Sequence, residues 1–302
     1  MSQPQPLFIL TCMRSFSSLV SSMLGQHPGL YCLPEVNPFI APTLGRAVDI
    51  LQFVRKRTLD GLYRAVAELE HGAQTEAAVR KAQTWVADRR HWSPVEMMDH
   101  FAARVAPRRL IEKSPSTTLA PERVDAAVRL FPEAKFLHLY RHPVSTTASI
   151  AKITGHGQKD ATRAARGRDP EESWYDANTT ILKVGAQLPP GHFMSARGED
   201  ILTDPDTFLV QVCHWLGLDV ADDDLAAMKR PEESPYASIG PASAPFGNDP
   251  NFLRHPNYAR RDIHLPSLGT PLDWAGGRRY LTPATVALSQ QLGYGRDARR
   301  NG

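Results

Sequence analysis

Short apolar runs alternate along the chain with longer segments in which apolar residues recur every three or four positions. The runs at residues 7–12, 108–112, 135–140 and 192–197 predict buried β-strands, and the segments that follow them have helical periodicity. Strands that alternate with helices favour a parallel sheet covered on both faces. The pattern therefore predicts an α/β fold of three layers, in which a central, mainly parallel sheet is flanked by helices.

Capping residues mark where two of these helices should begin. Ser93 and Glu96 form a capping-box pattern, with Pro94 at the first helical position. Asp204 followed by Pro205 has the same character, an N-cap acceptor and then a residue suited to the first turn. Both patterns predict helices that start directly after the capping residue.

The chain shows no internal repeat, and we expect residues 1–302 to form a single domain. Residues 46–90 are charged and amphipathic, which predicts a helical insertion made of two helices. Residues 231–302 are rich in proline and glycine until a last periodic stretch. This composition predicts an irregular C-terminal segment that wraps over the domain.

The composition is that of a globular protein with a mild excess of basic residues. The formal net charge is +3, which suits an anionic small ligand and is too small to indicate nucleic acid binding. Cys12, Cys32 and Cys213 form no CxxC pair and lie in apolar segments, so we expect buried thiols in a reducing compartment. Because a basic N-terminal region and a long apolar run are both missing, we expect a cytoplasmic protein without signal peptide or membrane span.

The loop after the first strand is rich in groups that bind anions. Arg14 carries a positive charge, and Ser15, Ser17 and Ser18 carry hydroxyls beside the expected N-terminus of a helix, whose free N–H groups attract anions. Neither the Walker pattern (GxxxxGKS or GxxxxGKT) nor GxGxxG is present, so neither a kinase nor a dinucleotide-binding fold is indicated. The alternative is an ordinary cluster of capping serines on the first helix.

A second strand end repeats this arrangement. Arg141 follows the strand at residues 135–140, and Ser149 lies eight residues later, about two helical turns along the chain. Ligands bind at the carboxyl ends of the strands in open parallel sheets. Two anion sites there indicate one ligand with two separated phosphate-like groups. The alternative is a surface arginine followed by an exposed helical serine.

Four segments together resemble those of the sulfotransferases that use 3′-phosphoadenosine 5′-phosphosulfate (PAPS). FILTCMRSFSSLVSSMLGQHPGL is similar to their 5′-phosphosulfate loop, and FLHLYRHPVSTTAS is similar to their 3′-phosphate motif. IEKSPSTTLAP resembles the segment whose lysine lies near the transferring sulfuryl group, and ARGEDILTDPDTFLVQVCHWLGL resembles the strand and helix that follow. The resemblance covers nearly the whole chain in order and is strongest for bacterial and carrier-linked members.

The resemblance implies a P-loop-like fold and gives roles to particular residues. The residues that it places around the 5′-phosphosulfate are Arg14, Ser15, Phe16, Ser17 and Ser18. It assigns the 3′-phosphate to Arg141 and Ser149, with Arg254 as a candidate for a further contact. It places Lys113 beside the transferring sulfuryl group.

The first loop departs from the family pattern at two positions. The family usually has proline where this chain has Met13 and glycine where it has Phe16. Phe16 puts a large side chain where the backbone normally approaches the phosphosulfate, so it either fills space against the donor or weakens donor binding. Because Ser17 and Ser18 are retained, we expect binding to be retained. GED replaces the family's YED, which we interpret as a strand variant.

The residue types suit the transfer of a sulfuryl group without a metal. As in phosphoryl transfer, the reacting groups must be held in line and the growing charge must be neutralised. A sulfuryl group carries less negative charge than a phosphoryl group, so side-chain cations can take the place of magnesium. Arg14 and Lys113 are the candidate cations, and the sequence has no obvious aspartate-rich metal site.

The acceptor hydroxyl needs a base, and Glu35 is our candidate. Cytosolic members of the family have a histidine two residues after the lysine, where this chain has Pro115. Other members have a glutamate shortly after the HP that ends the first helix, which is the place of Glu35. A carboxylate within hydrogen-bond reach of a hydroxyl can accept its proton. The alternatives are a solvated loop glutamate at this position and either His142 or His27 as the base.

We therefore expect a PAPS-dependent sulfotransferase whose acceptor is a hydroxyl on a small molecule, a lipid or a carrier-bound intermediate. The main alternative is a nucleotide-binding module of the same fold that has lost transfer activity. Phe16 and the missing histidine are the reasons to consider it. A metal-dependent phosphotransferase is disfavoured by the absent Walker lysine. We expect residues 46–90 and 153–170 to determine the acceptor; the basic residues of the second segment face either an anionic acceptor or solvent.

Overall fold

The computed structural model describes residues 4–54, 56–156 and 167–295 of the chain. Within these residues a five-stranded sheet forms the centre of the molecule, in the strand order β2-β3-β1-β4-β5. Its strands are β1 (Leu7–Thr11), β2 (Leu30–Cys32), β3 (Arg109–Glu112), β4 (Lys135–Tyr140) and β5 (Phe193–Arg197). Every neighbouring pair is parallel, which confirms the predicted class of fold.

All four strands predicted from the apolar runs are present, with ends within one residue of those expected. The sequence pattern did not predict β2, which has only three residues and follows the turn after the first helix. A run of this length is too short to show the alternation that identifies a strand. Its pairing with β3, in which Cys32 lies opposite Ile111, is what makes it a strand.

Helices cover both faces of this sheet. The α-helices of the described residues are α1 (Ser17–Leu24), α2 (Leu44–Val54), α3 (Asp60–His71), α4 (Glu76–Asp88), α5 (Pro94–Val105), α6 (Pro121–Leu130), α7 (Pro143–Thr154), α8 (Pro170–Gly185), α9 (Gly198–Thr203), α10 (Pro205–Trp215), α11 (Asp222–Met228), α12 (Pro250–Arg254) and α13 (Pro283–Gln291). Short 3₁₀ helices lie at Lys56–Leu59, Pro115–Leu119, Pro231–Glu233 and Asp273–Ala275.

Alternate side chains of β1 enter two apolar cores, one on each side of the sheet. Leu7 and Ile9 belong to the core built with α1, α10 and α11. Phe8 and Leu10 belong to the core built with α2 to α6 and α8. Because β1 is the middle strand and both of its faces are covered, its sequence is continuously apolar rather than alternating.

The predicted helix caps are confirmed. Ser93 Oγ accepts a hydrogen bond from the Glu96 N–H at 3.2 Å, and the Glu96 carboxylate accepts one from the Ser93 N–H at 2.7 Å. The Asp204 carboxylate accepts a hydrogen bond from the Thr207 N–H at 3.3 Å at the start of α10. These contacts satisfy N–H groups that have no partner within their helices.

Residues 46–90 form three helices, α2, α3 and α4, where the amphipathic pattern predicted two. Gly72 ends α3 in the left-handed conformation, with φ 66°, and Thr75 caps α4 by accepting a hydrogen bond from the Ala78 N–H. A glycine that closes one helix and a threonine that opens the next are standard boundary signals. The long amphipathic stretch concealed this boundary.

The residues that follow the five strands all lie at one edge of the sheet, because the carboxyl ends of parallel strands meet there. Arg14, Lys113 and Arg141 follow β1, β3 and β4, which are the three adjacent central strands. Glu35 follows β2 on one side, and Gly198 follows β5 on the other. After β1 the chain continues to β2 on one side of β1, and after β3 it continues to β4 on the other side. Open α/β sheets bind ligands in the crevice formed where successive connections diverge in this way.

The three cysteines are buried and unpaired, as the sequence predicted. Burial raises the pKa of the Cys12 thiol to about 12, so it is not a nucleophile near neutral pH. No helix of the described residues is long and apolar enough to cross a membrane.

Candidate active site

The loop between β1 and α1 holds two non-glycine residues in the left-handed region. Arg14 has φ 70° and Phe16 has φ 64°, a conformation that costs L-residues about 1–2 kcal/mol each. Phe16 is the N-cap of α1, and its side chain cannot accept a hydrogen bond from the first helical N–H groups. The N-terminus of α1 is therefore available to an anion, and strain of this kind is typical of functional loops.

A cleft of about 340 Å³ opens in front of this loop. It is lined by residues 14–19 of the loop and α1, by Arg141, and by Asp249, Phe252 and Arg261 from the C-terminal part of the chain. This volume is within the range of about 300–1,000 Å³ for small-molecule sites. The three arginines and the helix N-terminus make the lining suitable for an anionic ligand.

The serines of the loop supply hydroxyls to this cleft. Ser15, Ser17 and Ser18 all contribute to its lining. Ser15 Oγ is buried and has no hydrogen-bond partner among the described residues. A buried hydroxyl left without a partner costs about 1–3 kcal/mol, and an oxygen of a bound anion would satisfy it. The loop therefore fits the phosphosulfate group that the sequence resemblance implied.

Lys113 joins the loop to the residues behind it. Its side chain is fully buried, and Nζ donates hydrogen bonds to Ser18 Oγ at 3.0 Å, to Glu35 Oε1 at 2.9 Å and to Asn248 Oδ1 at 3.0 Å. Glu35 exposes 30% of its side-chain surface. A buried ammonium group requires such partners. The pair of Lys113 and Glu35 therefore lies where the loop meets solvent.

Arg14 makes two side-chain contacts. Its Nε donates a hydrogen bond to Ser149 Oγ at 2.9 Å, and its Nη1 forms an ion pair with Asp249. The sequence had associated Ser149 with Arg141, but in the structure the hydroxyl of Ser149 bonds to the arginine of the first loop. Ser149 thus links the two anion-binding segments that the sequence identified separately.

Arg141 packs against the same loop. Its guanidinium carbon lies 4.2 Å from the centre of the Phe16 ring, and its Nη1 donates a hydrogen bond to the Arg14 carbonyl at 3.0 Å. Burial lowers the pKa of Arg141 from its usual value, yet an arginine remains charged near neutral pH. Phe16 therefore supports Arg141 through its ring face and does not block the cleft that both residues line.

A buried chain of hydrogen bonds holds the loop that carries Glu35. The Glu112 carboxylate accepts a hydrogen bond from Ser114, whose Oγ accepts one from the Asn37 N–H at 2.9 Å. Asn37 Nδ2 donates to the backbone carbonyl of Glu35 at 3.2 Å. Burial raises the pKa of Glu112 to about 7. The position of Glu35 thus depends on residues at the end of β3, beside Lys113.

The two histidines considered as alternative bases have other contacts. His27 Nδ1 accepts a hydrogen bond from the Gly29 N–H at 3.0 Å, and its Nε2 lies 2.8 Å from the carbonyl oxygen of Asp219. His142 is buried against Tyr294, with ring centres 4.9 Å apart. Burial lowers the pKa of His142 to about 4, which makes it a weak base near neutral pH. These contacts favour Glu35 for this role.

Comparison with known families identifies the chain. The family model described as "Sulfotransferase family" matches residues 6–223. The chain belongs to the sulfotransferase family. This confirms the resemblance seen in the sequence, and with it the P-loop-like α/β fold.

Two solved structures illustrate the fold of this sulfotransferase. The sulfotransferase domain of the Synechococcus PCC 7002 olefin synthase is 27% identical, with a TM-score of 0.74 over 97% of this chain and 96% of that domain. The sulfotransferase domain from the curacin biosynthetic pathway is 24% identical, with a TM-score of 0.76 over 97% of this chain and 99% of that domain. No curated protein sequence matches the chain significantly.

The C-terminal part of the sulfotransferase contributes different residues to the cleft from those expected. Arg254, the candidate for a further phosphate contact, is exposed, bonds to Asn251 Oδ1 at 3.3 Å and is not among the lining residues. Arg261 lines the cleft instead, held by a hydrogen bond from its N–H to the Leu202 carbonyl at 3.1 Å. No motif marks Arg261 in the sequence, because it lies in a segment without periodicity.

Asn248 and Asp249 are further residues of the site that sequence reasoning missed. Asn248 bonds to Lys113, and Asp249 pairs with Arg14 and donates its N–H to Ser18 Oγ at 3.1 Å. The available signal was Asp249 followed by proline, which is an N-cap pattern. That pattern predicts a short helix and gives no indication of its neighbours in space.

Two expectations concern features that the structure does not reach or test. Residues 157–166, the central part of the basic segment expected to determine the acceptor, lie outside the described residues. Among the residues that are described, no group of three or more His, Cys, Asp or Glu side chains is arranged to hold a metal ion. Transfer without a metal remains a prediction.

Proposed function

We propose that this sulfotransferase moves a sulfuryl group from PAPS to a hydroxyl of a small-molecule, lipid or carrier-bound acceptor. The observation that carries the proposal is the arrangement of Lys113. Its buried ammonium group contacts Ser18 of the anion-binding loop and Glu35 of the solvent-accessible side, at 3.0 and 2.9 Å. A cation that touches both the donor loop and the carboxylate that we propose as the base is suited to act on both reactants.

The two anion sites suit the two ends of the donor. Residues 14–18, with the N-terminus of α1, would hold the 5′-phosphosulfate, since they combine a cation, hydroxyls and helix N–H groups. Arg141 would hold the 3′-phosphate, and Ser149, which accepts a hydrogen bond from Arg14, would join the two binding segments. Phe16 supports this assignment, because its ring packs against Arg141.

The chemistry follows from these positions. The bond from sulfur to the phosphate oxygen breaks as a bond from sulfur to the acceptor oxygen forms, and adenosine 3′,5′-bisphosphate leaves. Glu35 accepts the proton of the acceptor hydroxyl, so that no alkoxide has to form in advance. Arg14 and Lys113 neutralise the charge that grows on the leaving phosphate oxygen, and fixed cations do this without reorganisation.

A transfer assay with sulfur-35-labelled PAPS and a panel of hydroxyl acceptors tests the proposal. We expect transfer to at least one acceptor and loss of transfer in Lys113→Met, which removes the charge and keeps most of the side-chain length. Tight binding of PAPS without transfer to any acceptor would favour the alternative, a nucleotide-binding module of the same fold that has lost activity. The departures at Phe16 and at the missing histidine are the observations behind that alternative.

The use of a 3′-phosphorylated nucleotide has its own test. Calorimetry should show that adenosine 3′,5′-bisphosphate binds much more tightly than AMP. Arg141→Ala should reduce the ratio of the two affinities, whereas the matched control Arg254→Ala should leave it unchanged, because Arg254 is outside the cleft lining. An unchanged ratio in Arg141→Ala would contradict the assignment of the 3′-phosphate.

The remaining parts of the proposal concern the whole chain. We propose that residues 1–302 act as one domain, with the helices around 46–90 on the acceptor side of the cleft and the C-terminal segment on the donor side. The contact of Asp249 with the donor loop supports the second placement. Three unpaired buried thiols support a reducing compartment, and we propose the cytoplasm.

A further inference from the structure

The cleft contains a charge that an anion-binding site would not be expected to have. Its lining residues include Arg14, Arg141 and Arg261, and Asp249 is the one carboxylate among them within the described residues. A carboxylate beside a bound anion opposes binding through like-charge repulsion. The presence of Asp249 therefore needs a reason beyond the binding of anions in general.

Apart from the ion pair with Arg14, the structural contacts of Asp249 do not require its negative charge. Its Oδ1 accepts a hydrogen bond from the Asn251 N–H at 2.8 Å and so caps α12, and its own N–H donates to Ser18 Oγ at 3.1 Å. Asparagine caps helices about as well as aspartate. Arg14, the ion-pair partner of Asp249, is also oriented by Ser149 at 2.9 Å. The charge is therefore the part that these contacts leave unexplained.

The other candidate catalytic cation, Lys113, is also paired with a carboxylate. Glu35 pairs with Lys113 as Asp249 pairs with Arg14. The two side-chain cations that we assign to the transferring group, Arg14 and Lys113, are thus each paired with one carboxylate. Their charges cancel, so the excess positive charge of the cleft comes from the helix N-terminus and from Arg141 and Arg261.

This balance distinguishes two groups of nearly the same shape. A terminal sulfuryl group carries a single negative charge, whereas a terminal phosphoryl group carries up to two near neutral pH, since its second pKa is about 6. We propose that Asp249 is a specificity-determining residue, whose negative charge beside Arg14 selects donors that end in sulfate over donors that end in phosphate. The proposal rests on the proposed function and concerns the choice of donor at the same site.

The test compares two nucleotides that differ in the terminal group and in one charge. These are PAPS and its phosphorus counterpart, adenosine 3′-phosphate 5′-diphosphate, and calorimetry gives the dissociation constant of each. In Asp249→Asn the preference for PAPS over the diphosphate should fall by about tenfold, the scale of one unit charge removed several ångströms from an anion. Asparagine keeps the cap of α12, so the fold should be retained.

Asp169→Asn is the matched control. Asp169 is also an N-cap, it also pairs with an arginine, Arg279, and its side chain is 26% exposed against 25% for Asp249, but it is not in the cleft lining. The preference should be unchanged in this variant. If Asp249→Asn changed the affinities for both nucleotides by the same factor, the proposal would be overturned. Equally tighter binding would mean that Asp249 only competes with ligands for Arg14, and equally weaker binding would mean that it only supports the fold. Failure of both nucleotides to bind the unaltered protein would instead refute the proposed function, and the donor selection with it.

Discussion

The contact between Phe16 and Gly198 offers a quantitative test of how the donor loop is built. A Cβ atom added at Gly198 would lie 2.8 Å from Phe16 Cδ2, whereas carbon atoms pack best at about 3.5–4.0 Å. Gly198→Ala should therefore push the Phe16 ring away from Arg141. Overpacking of this size costs about 1–3 kcal/mol of the free energy of unfolding.

The companion change is Phe16→Gly. It removes the stacking of Arg141 on the ring, at 4.2 Å, which we estimate at about 0.5–2 kcal/mol. It also relieves the left-handed backbone at φ 64°, worth about 1–2 kcal/mol. The two effects offset each other to within about 1.5 kcal/mol. In this background the added Cβ at position 198 no longer meets the ring, and its approaches to the carbonyl oxygens of Ser15 at 3.2 Å and Tyr140 at 3.4 Å remain.

The assay is a double-mutant cycle measured by urea unfolding. We expect a coupling free energy of about 1–2.5 kcal/mol between positions 16 and 198, with Gly198→Ala much less costly in the Phe16→Gly background. The greater helix propensity of alanine at the start of α9 is the same in both backgrounds and cancels. Effects that add to within about 0.5 kcal/mol would refute the steric link, and with it the idea that Gly198 makes room for Phe16.

Three further predictions follow from the site. Glu35→Gln should retain PAPS affinity and lose turnover by about 10²- to 10⁴-fold, as expected for removal of a general base, and near-normal turnover would exclude this role. Transfer should continue in excess EDTA, since arginine and lysine supply the positive charge, and a loss restored by magnesium would argue for metal-dependent chemistry. The pKa of Glu112, raised from 4.5 to about 7, means that the folded state holds this proton more tightly than the unfolded state. The free energy of unfolding should therefore fall as pH rises from about 4.5 to about 7, on the order of 3 kcal/mol, and Glu112→Gln should abolish that part of the fall in urea unfolding.

Much of the fold could be predicted from the sequence because its strands and helices have clear local signals. Strands β1, β3, β4 and β5 each contain a short apolar run, and helix starts such as Ser93 and Asp204 carry their own capping acceptors. The three central cations could also be predicted as one group. Arg14, Lys113 and Arg141 each follow a predicted strand, and parallel strands bring their carboxyl ends to one edge.

The contacts within the site depend on the tertiary structure. Arg14 and Asp249 are 235 positions apart, and Lys113 and Asn248 are 135 apart. No periodicity relates such residues, and the irregular segment that carries Asp249 and Arg261 has little periodicity of its own. Strand β2 is similar, since three residues become a strand only through their pairing with β3.

The role of Phe16 also depends partly on the sequence and partly on the tertiary structure. The sequence identified it as a departure from the family pattern and left open whether it fills space or weakens binding. Its ring packs between the Arg141 guanidinium and the bare backbone of Gly198. Local sequence determines that a bulky residue stands in the loop, but whether it obstructs the cleft depends on the Arg141 side chain after β4 and on the Gly198 backbone after β5. These residues meet Phe16 only because the parallel sheet brings the ends of distant strands together.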